Sequence, residues 1–314
     1  MTLPGPVVSI VGPTASGKSA LADLVAIEVG SCVISVDAMQ VYRGMDIGTA
    51  KTPVSERAVP LRMVDVCEPT VDYSVQLYQK DCRSVVDEEL GQGRVPVLCG
   101  GTGLYLNAVI DEMEFPRGEK GDKKRSAYED LAADLGPQGL HSLLEDRDPA
   151  SAALIHPNNV RRVVRALEML DEGKSYAEHN KGLKARVPHY DAHIWGLSMN
   201  RARLYERIEA RVDQMMDEGL LHEVETLASL GLSRESTAGQ AIGYKELLDY
   251  LDGSSTLDEA VATIKMRTRR YAKRQISWFK NDGRVQWLDL ESMGLDGARD
   301  VILSDLRGSM EGDC

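Results

Sequence analysis

The sequence of 314 residues predicts an α/β fold in which a parallel β-sheet carries helices on both faces. Short β-branched runs alternate with helical patterns in the first third of the chain, which is typical of strand–helix–strand units. A glycine-rich segment joins the first run to the first helical pattern, and helical patterns dominate from about Phe115 to His179. We therefore predict a core of residues 1–115 and 191–314, with a mostly helical insertion at 116–190.

The predicted strands are short, largely apolar runs, and the first two are rich in valine and isoleucine. Runs of this kind are typical of strands that are buried on both faces of a parallel sheet. In chain order they are Val7–Val11, Cys32–Val36, a weaker run at Leu61–Val66, Val95–Cys99, Asp191–Ser198 and Val285–Leu288.

The predicted helices have apolar residues at helical spacing, as at Leu21, Leu24 and Val25. Gly118–Lys124 is expected to be a loop, and the acidic tail after Leu290 is expected to be loosely held. The longer helical segments are Tyr73–Gly91, Arg201–Leu230, Tyr244–Asp252 and the stretch from Leu257 to Lys280.

The composition excludes several classes of protein. With 43% apolar and 27% charged residues, the chain is neither wholly disordered nor collagen-like. No run approaches the roughly 18 apolar residues of a membrane span, and the N-terminus lacks the basic stretch of a signal peptide. The five cysteines are scattered without a CxxC pair, which argues against a disulfide framework. We therefore expect a cytoplasmic protein without membrane contact.

The formal charge of −12 is unevenly distributed along the chain. Residues 1–115 carry a net −7 and residues 289–314 a net −5, so the region between them is neutral. Within that region, Arg267–Lys280 holds six cations and no acid, with three aromatic residues interleaved. Cations neutralise phosphates and aromatic rings stack on bases, so this stretch suits a nucleic-acid surface. A solvated amphipathic helix explains it equally well.

Residues 12–19 fit the motif G-x-x-x-x-G-K-[ST] and lie between a predicted strand and a predicted helix. Glycines let successive backbone N–H groups face a phosphate, and the helix N-terminus adds partial positive charge. Lys18 adds a full charge, and the Ser19 hydroxyl is expected to bind Mg²⁺. The motif predicts a phosphate loop and a sheet like that of P-loop NTPases. The loop consists of Gly12, Pro13, Thr14, Ala15, Ser16, Gly17, Lys18 and Ser19.

A phosphate loop alone does not identify a reaction. In P-loop NTPases a later apolar strand ends in an Asp that holds the magnesium ion. Here Val95–Cys99 is followed by G-G-T-G at 100–103, which offers N–H groups and a hydroxyl but no carboxylate. The acid expected near the loop is Asp37, because the carboxyl ends of parallel strands form the ligand crevice. Asp37 would act as a base or orient Mg²⁺, and a turn or helix N-cap is the alternative.

Five segments in chain order carry a resemblance to a known family. They are the phosphate loop, D-A-M-Q-V-Y-R-G-M-D-I-G-T-A-K at 37–51, G-G-T-G-L-Y at 100–105, Q-A-I-G-Y-K at 240–245 and R-R-Y-A-K-R-Q-I-S-W at 269–278. Together they resemble the tRNA dimethylallyltransferases, or tRNA isopentenyltransferases, over residues 12 to 280. Two departures are Ala38, where the family commonly has Ser, and Arg62–Asp65, where it often has a block preceded by His-His.

The resemblance implies transfer of a dimethylallyl group from its diphosphate to N6 of the adenine just 3′ of a tRNA anticodon, position 37, with Mg²⁺ as cofactor. The bound anion would then be the leaving diphosphate. The implied catalytic residues are Asp37 as base, Thr102 near the transferred carbon or the diphosphate, and Lys18 and Arg211 on the phosphates, although a surface position suits Arg211 equally well. The implied tRNA contacts are Asp37, Ala38, Met39, Gln40, Arg125, Arg161, Arg162, Arg165, Gln240, Gly243, Lys245, Lys273, Arg274, Gln275, Trp278 and Lys280.

By the same resemblance, the insertion would hold the anticodon stem-loop. For the cluster Arg161–Arg165 an ordinary exposed basic face is the alternative. One RNA bound in one cleft makes a monomer the expectation, with no obligate protein partner.

Three other functions remain open at this point. A small-molecule kinase of the shikimate- or nucleotide-kinase type would use the same loop and consume ATP. A phosphate-loop RNA-binding protein would lack prenyl chemistry. An enzyme that prenylates free adenine nucleotides fits less well, because the insertion and the basic stretch favour a polynucleotide acceptor.

Overall fold

The computed structural model describes residues 3–115 and 123–312. In these residues, strands β1 to β6 form one sheet in the order β3-β2-β4-β1-β5-β6, and every neighbouring pair is parallel. This confirms the predicted α/β fold class. The strands are β1 Val7–Val11, β2 Val33–Val36, β3 Leu61–Arg62, β4 Val97–Gly100, β5 Ala192–Ser198 and β6 Gln286–Asp289.

Helices connect the parallel strands except between β2 and β3, where the chain contains only the short 3₁₀ helix Val54–Glu56. The helices before the insertion are α1 Lys18–Glu28, α2 Val75–Gly91 and α3 Gly103–Ile110. The later ones are α8 Arg201–Asp217, α9 Leu220–Ser229, α10 Tyr244–Leu251, α11 Leu257–Lys280 and α12 Leu290–Gly312. The predicted strand at Leu61–Val66 is wrong beyond Arg62, where the pairing with β2 stops.

The two faces of the sheet are covered by different helices. On one face, Leu21 and Val25 of α1 pack in a buried cluster with Ile302 of α12. On the other face, Tyr78 of α2 and Leu106 of α3 belong to a larger cluster that also includes α9, α10 and α11. The strands therefore lie between two apolar layers, which explains the nearly continuous Val and Ile content of β1 and β2.

The expectation that the tail is loosely held is wrong. After β6 the chain forms α12, which bends at Gly294, where φ is +68°. Ala298, Ile302 and Leu306 recur at four-residue spacing and are buried against the sheet face covered by α1. This apolar stripe outweighs the acidic composition, because charged residues of a helix can remain on its solvent side.

Residues 112–187 form a second compact unit, separate from the unit made of 1–111 and 188–314. Its helices are α4 Lys123–Arg147, α5 Pro149–Ala152, α6 Val160–Asp171 and α7 Tyr176–Lys184. Leu140, Leu144, Val163 and Leu167 are fully buried in its own apolar core. Most of the predicted loop Gly118–Lys124 lies outside the described residues, and the prediction is wrong for Lys123 and Lys124, which begin α4.

None of the helices in the described residues combines the length and the apolar content needed to cross a membrane.

Candidate active site

Three strand ends meet at one edge of the sheet. Strand β1 leads into the phosphate loop, β2 leads to Asp37, and β4 leads to the turn at residues 100–103, which we call the β4 turn. Strands β2 and β4 approach closely at Gly100. A Cβ at this position would lie only 2.0 Å from the Val36 carbonyl oxygen, so the approach depends on glycine. These ends line a cavity of about 380 Å³, which we call the strand-end cavity. Its opposite wall comes from α8, α11 and the segment Gln240–Gly243.

The phosphate loop turns into α1 at Gly17, whose φ of +95° lies in the left-handed region that favours glycine. Thr14, Lys18 and Ser19 of the loop line the strand-end cavity. The Lys18 ammonium donates to the Pro13 carbonyl oxygen over 3.3 Å, which holds the side chain back along the loop. The loop therefore lies where the motif predicts, between β1 and α1, with a cation beside the helix N-terminus.

The Lys18 ammonium is largely removed from water and has other ionisable groups close to it. Burial lowers its pKa below the ordinary value, and the nearby Arg211 guanidinium lowers it as well. The thiol of Cys99 and the carboxylate of Asp37 act in the opposite direction. In the described residues Arg211 makes no ion pair within 4 Å, so two cations face this end of the cavity without carboxylate partners at ion-pair distance. Such a place suits a multiply charged anion.

Asp37 and Thr102 are tied to the same pair of strand ends. The Asp37 Oδ1 accepts from the Met39 N–H over 2.9 Å, and the Thr102 Oγ1 accepts from the Ala38 N–H over 3.1 Å. The Thr102 N–H donates to the Val36 carbonyl over 3.2 Å. Both side chains line the strand-end cavity, where Asp37 is half-buried. The structure thus brings the predicted base and the predicted hydroxyl together.

Tyr271 of α11 also lines the cavity, and sequence reasoning treated it only as part of a basic aromatic run. Burial and the negative charge of Asp37 raise the pKa of Tyr271 to about 12, against the effect of side-chain hydrogen bonds with Thr102 and Gln275. Its phenol therefore stays protonated beside the reacting groups. The spacing of Tyr271 and Gln275, one helical turn apart, was the signal that both share one face.

Gln40 connects the turn after β2 to the segment around Thr49, which also lines the strand-end cavity. Its Oε1 accepts from the Ser35 hydroxyl over 2.7 Å, and its Nε2 donates to the Thr49 carbonyl over 3.1 Å. The amide of Gln40 is thereby engaged at both ends within the core, and it holds the segment around Thr49 in place as a lining of the cavity.

Glu223 of α9 anchors the same segment, and no sequence motif pointed to it. Its carboxylate accepts from the backbone N–H groups of Asp46, Ile47 and Gly48 over 3.0, 2.7 and 3.2 Å. It also accepts from the Tyr244 hydroxyl over 2.5 Å. A Cβ on Gly48 would lie 2.5 Å from the Tyr244 ring, so only glycine permits this approach.

Most of the predicted tRNA contacts of the core fall into two groups. One group lines the strand-end cavity, and the other lines a second groove along α11. The first group is Asp37, Ala38, Met39, Gln40, Gln240, Gly243, Arg274 and Gln275. Arg274 belongs to both groups, because it also lines a shallow groove of about 590 Å³, which we call the α11 groove. The α11 groove is lined by Arg270, Lys273, Arg274, Ser277, Trp278 and Asn281.

Two predicted contacts lie in neither lining. Lys245 is half-buried at the start of α10, and Lys280 is exposed at the end of α11. Both remain candidate contacts on the same unit of the chain.

Not all cations of Arg267–Lys280 are available to a ligand. Arg267 is paired with the buried Glu246, and Arg269 is paired with Glu209 of α8. The remaining four make no ion pair within the part of the chain that the structure describes, and all four are exposed. They are Arg270, Lys273, Arg274 and Lys280.

The predicted contacts of the insertion lie on its first and third helices. Arg161 and Arg162 are exposed on α6, whereas Arg165 pairs with Glu168 over 3.3 Å. Arg125 of α4 pairs with Glu129 over 3.0 Å.

The comparisons with known proteins agree with one another. The family description "IPP transferase" matches residues 40–282, and "Isopentenyl transferase" matches residues 5–72. The chain is 45% identical to the tRNA dimethylallyltransferase of Carboxydothermus hydrogenoformans, over 94% of this chain and 96% of that protein. It is 46% identical to the protein of the same name from Geobacillus kaustophilus, over 92% of each.

Solved structures give the same answer. The full-length tRNA isopentenylpyrophosphate transferase of Bacillus halodurans is 41% identical, with a TM-score of 0.72 over 98% of both chains. A eukaryotic dimethylallyltransferase studied while acting on tRNA is 28% identical, with a TM-score of 0.82 over 96% of this chain and 79% of the other. Since the likeness in sequence and in fold extends over nearly the whole chain, this protein belongs to the IPP transferase family.

Proposed function

We propose that this protein transfers the dimethylallyl group of dimethylallyl diphosphate to N6 of the adenine 3′-adjacent to the anticodon, position 37 of its tRNA. The bond from C1 to the bridging oxygen breaks as the bond from N6 to C1 forms. One N6 proton leaves, and diphosphate departs with the bonding electron pair. The observation that carries this proposal is the strand-end cavity, which joins the phosphate loop to Asp37 and Thr102 in one space.

The phosphate loop and its cations would bind the leaving diphosphate. Negative charge grows on the bridging oxygen as the allylic bond breaks, and fixed N–H dipoles and cations stabilise such charge. Lys18 lies at the loop, and Arg211 of α8 lines the same cavity. A leaving diphosphate rather than a nucleoside triphosphate also accounts for the β4 turn, which carries no carboxylate at the position where P-loop NTPases hold their metal.

Asp37 would accept the proton of the adenine amine. An aromatic amine is a poor nucleophile, and a carboxylate that takes its proton in the transition state accelerates attack. Met39 N–H holds one carboxylate oxygen of Asp37, which fixes the orientation of the group in the cavity. Thr102, tied to Ala38, would lie beside the transferred carbon or the diphosphate.

The donor set fits Mg²⁺. In phosphate sites this ion takes few ligands from the protein and the rest from phosphate oxygens and water. The exposed Ser19 hydroxyl and the Asp37 carboxylate both line the strand-end cavity, and oxygen donors are what Mg²⁺ prefers. Ser19 would bind the ion together with the diphosphate, and the ion would add positive charge at the leaving group.

The acceptor would be held by cations outside the cavity. The target adenine is stacked in the anticodon loop and must leave the stack to reach N6. The α11 groove offers three exposed cations and Trp278, which suits a phosphate backbone and an unstacked base. We further propose that the insertion contacts the anticodon stem-loop through Arg161 and Arg162, and that the enzyme acts as a monomer in the cytoplasm.

The proposal is tested with labelled dimethylallyl diphosphate, Mg²⁺ and unmodified tRNA, followed by digestion and detection of N6-dimethylallyladenosine. We expect label only in tRNA that carries adenine at position 37. The matched control is the same tRNA with guanine at that position. Label on free AMP at a comparable rate, or consumption of ATP without labelled tRNA, would contradict the proposal.

A further inference from the structure

Gln275 is a buried polar residue on the inner face of α11. The other buried positions on this helix are apolar: Ala260, Ile264, Ala272 and Phe279. Gln275 is only 4% exposed, although the resemblance had placed it among the tRNA contacts. A buried amide needs partners for both of its ends, so the identity of those partners shows what the residue does.

Both ends of the Gln275 amide bond to the backbone of the active site. Its Oε1 accepts from the Thr14 N–H in the phosphate loop over 3.0 Å. Its Nε2 donates to the Gly101 carbonyl in the β4 turn over 3.0 Å. One side chain thus joins two segments that follow different strands, and it reaches them from a third, distant segment of the chain.

The β4 turn is shaped to receive α11. A Cβ on Gly101 would lie 2.0 Å from the Nε2 of Gln275, and a Cβ on Gly103 would lie 2.1 Å from the Trp278 ring. Gln275 and Trp278 are three residues apart, so they occupy one side of the helix over consecutive turns. The two glycines let the helix come close enough for the amide to reach both loops.

We propose that Gln275 is a positioning residue that fixes the distance between the diphosphate site and the reacting centre. The phosphate loop holds the leaving group, and the β4 turn carries Thr102, which is bonded to the residue next to Asp37. A rigid link between the two segments therefore holds donor and acceptor in one geometry. This inference rests on the proposed function for the identity of the reaction, but the link itself acts on any bound diphosphate.

The first test shortens the link. In Gln275→Asn the amide is one methylene too short to reach both backbone groups, so the two segments separate. We expect kcat to fall by about 10- to 100-fold, as for a misplaced reacting group, and the Kd for inorganic diphosphate to rise by about tenfold. The KM for tRNA should stay within about twofold. Gln286→Asn, an exposed position on β6, is the matched control and should change none of these values.

The second test makes the link depend on pH. In Gln275→Glu the ionised carboxylate still accepts from Thr14 N–H but cannot donate to the Gly101 carbonyl. Protonation of the carboxyl restores a donor, so the activity of the variant relative to wild type should rise as the pH falls. A general loss of packing would not reverse in this way. If Gln275→Asn melts well below wild type, this ratio decides the question by itself.

Two results would overturn the proposal about Gln275, and a third would contradict only the proposed function. A raised KM for tRNA with an unchanged Kd for diphosphate would overturn the proposal and make Gln275 a contact of the acceptor. A pH-independent ratio in Gln275→Glu would also overturn it. If wild type binds diphosphate but forms no N6-dimethylallyladenosine, the proposed function fails, while the effect of Gln275→Asn on diphosphate binding still tests the link.

Discussion

The Thr102 hydroxyl accepts a hydrogen bond from the Ala38 N–H over 3.1 Å, and this bond connects the turns after β2 and β4. The Thr102 N–H donates to the Val36 carbonyl over 3.2 Å, so the two turns are joined twice. Asp37 lies between the two bonded residues of β2 and its turn. Its position relative to the phosphate loop is therefore set by Thr102, whatever further contact this hydroxyl makes with the substrate.

Thr102→Val should lower kcat while Thr102→Ser retains it. Valine keeps the shape but leaves the Ala38 N–H without its acceptor, and the resulting shift of Asp37 should reduce kcat by about 10- to 100-fold. Serine supplies the same hydroxyl. Steady-state kinetics of both variants with tRNA and dimethylallyl diphosphate checks this, and a valine variant with wild-type kcat would contradict it.

Asp37→Asn should remove the base and preserve the turn, because the amide oxygen still accepts from Met39 N–H. We expect kcat to fall by about 10²- to 10⁴-fold, as for the loss of general-base assistance, with tRNA affinity little changed. Asp258→Asn, an exposed position in the first turn of α11, is the matched control. Transfer at a wild-type rate in Asp37→Asn would assign the base to another group.

Diphosphate binding should be accompanied by the uptake of a proton at Lys18. The pKa of Lys18 in the free protein is lowered, so part of the population is neutral at a pH where an ordinary lysine is fully charged. A bound anion favours the charged form and raises this pKa again. Affinity should therefore fall as the pH rises through the lowered pKa.

Calorimetric titration with inorganic diphosphate in two buffers of different ionisation enthalpy measures this proton uptake. In Lys18→Arg the guanidinium is charged before and after binding, so the proton uptake that position 18 adds in wild type should disappear. Protons released by the diphosphate itself are common to both proteins and cancel in the comparison. Equal uptake by the two proteins would show that Lys18 is already charged in the free state.

Removal of an exposed cation from the α11 groove should weaken tRNA binding and reduce its dependence on salt. For Arg270→Ala or Lys273→Ala, the slope of log K against log salt should fall by about one unit for each lost phosphate contact. Arg307→Ala on α12 removes the same charge at another exposed position and serves as the control. An unchanged slope would make this face an ordinary solvated one.

Glu223→Gln should loosen the cavity wall at residues 46–48. The amide offers one acceptor atom where the carboxylate serves three N–H groups and a phenol, so buried donors lose partners at about 1–3 kcal/mol. We expect a lower melting temperature and a raised KM for dimethylallyl diphosphate. Glu225→Gln, exposed on the same helix, should change neither value.

The sheet and the strand-end residues were predictable because their signals are local. A phosphate-loop motif between a strand and a helix, and an acid at the end of the next strand, need only the rule that parallel strands end at one edge. Lys18, Asp37 and Thr102 line one cavity for this reason. Their assigned roles remain proposals for the kinetics to test.

The remaining contacts join segments that are far apart in sequence. Thr14 and Gln275 are 261 residues apart, and Asp46 and Glu223 are 177 apart, so no window of sequence contains both partners. The same holds for Arg267 and Arg269, whose acidic partners lie on α10 and α8. The acidic composition of residues 290–312 led to the wrong prediction of a loosely held tail. Composition does not record that the apolar residues of α12 recur every four positions.

The position of β1 in the sheet has a consequence for the order in which the protein assembles during synthesis. β1 lies between β4 and β5, and β5 follows the insertion in the chain. On a ribosome β1 therefore emerges long before β5. The strand that leads into the phosphate loop lacks this neighbour until the chain has left the ribosome as far as residue 198. The insertion, which has its own apolar core, can fold during this interval. Release of the chain then lets α11 and α12 complete the two faces, so a truncated chain would possess the motif without a finished site.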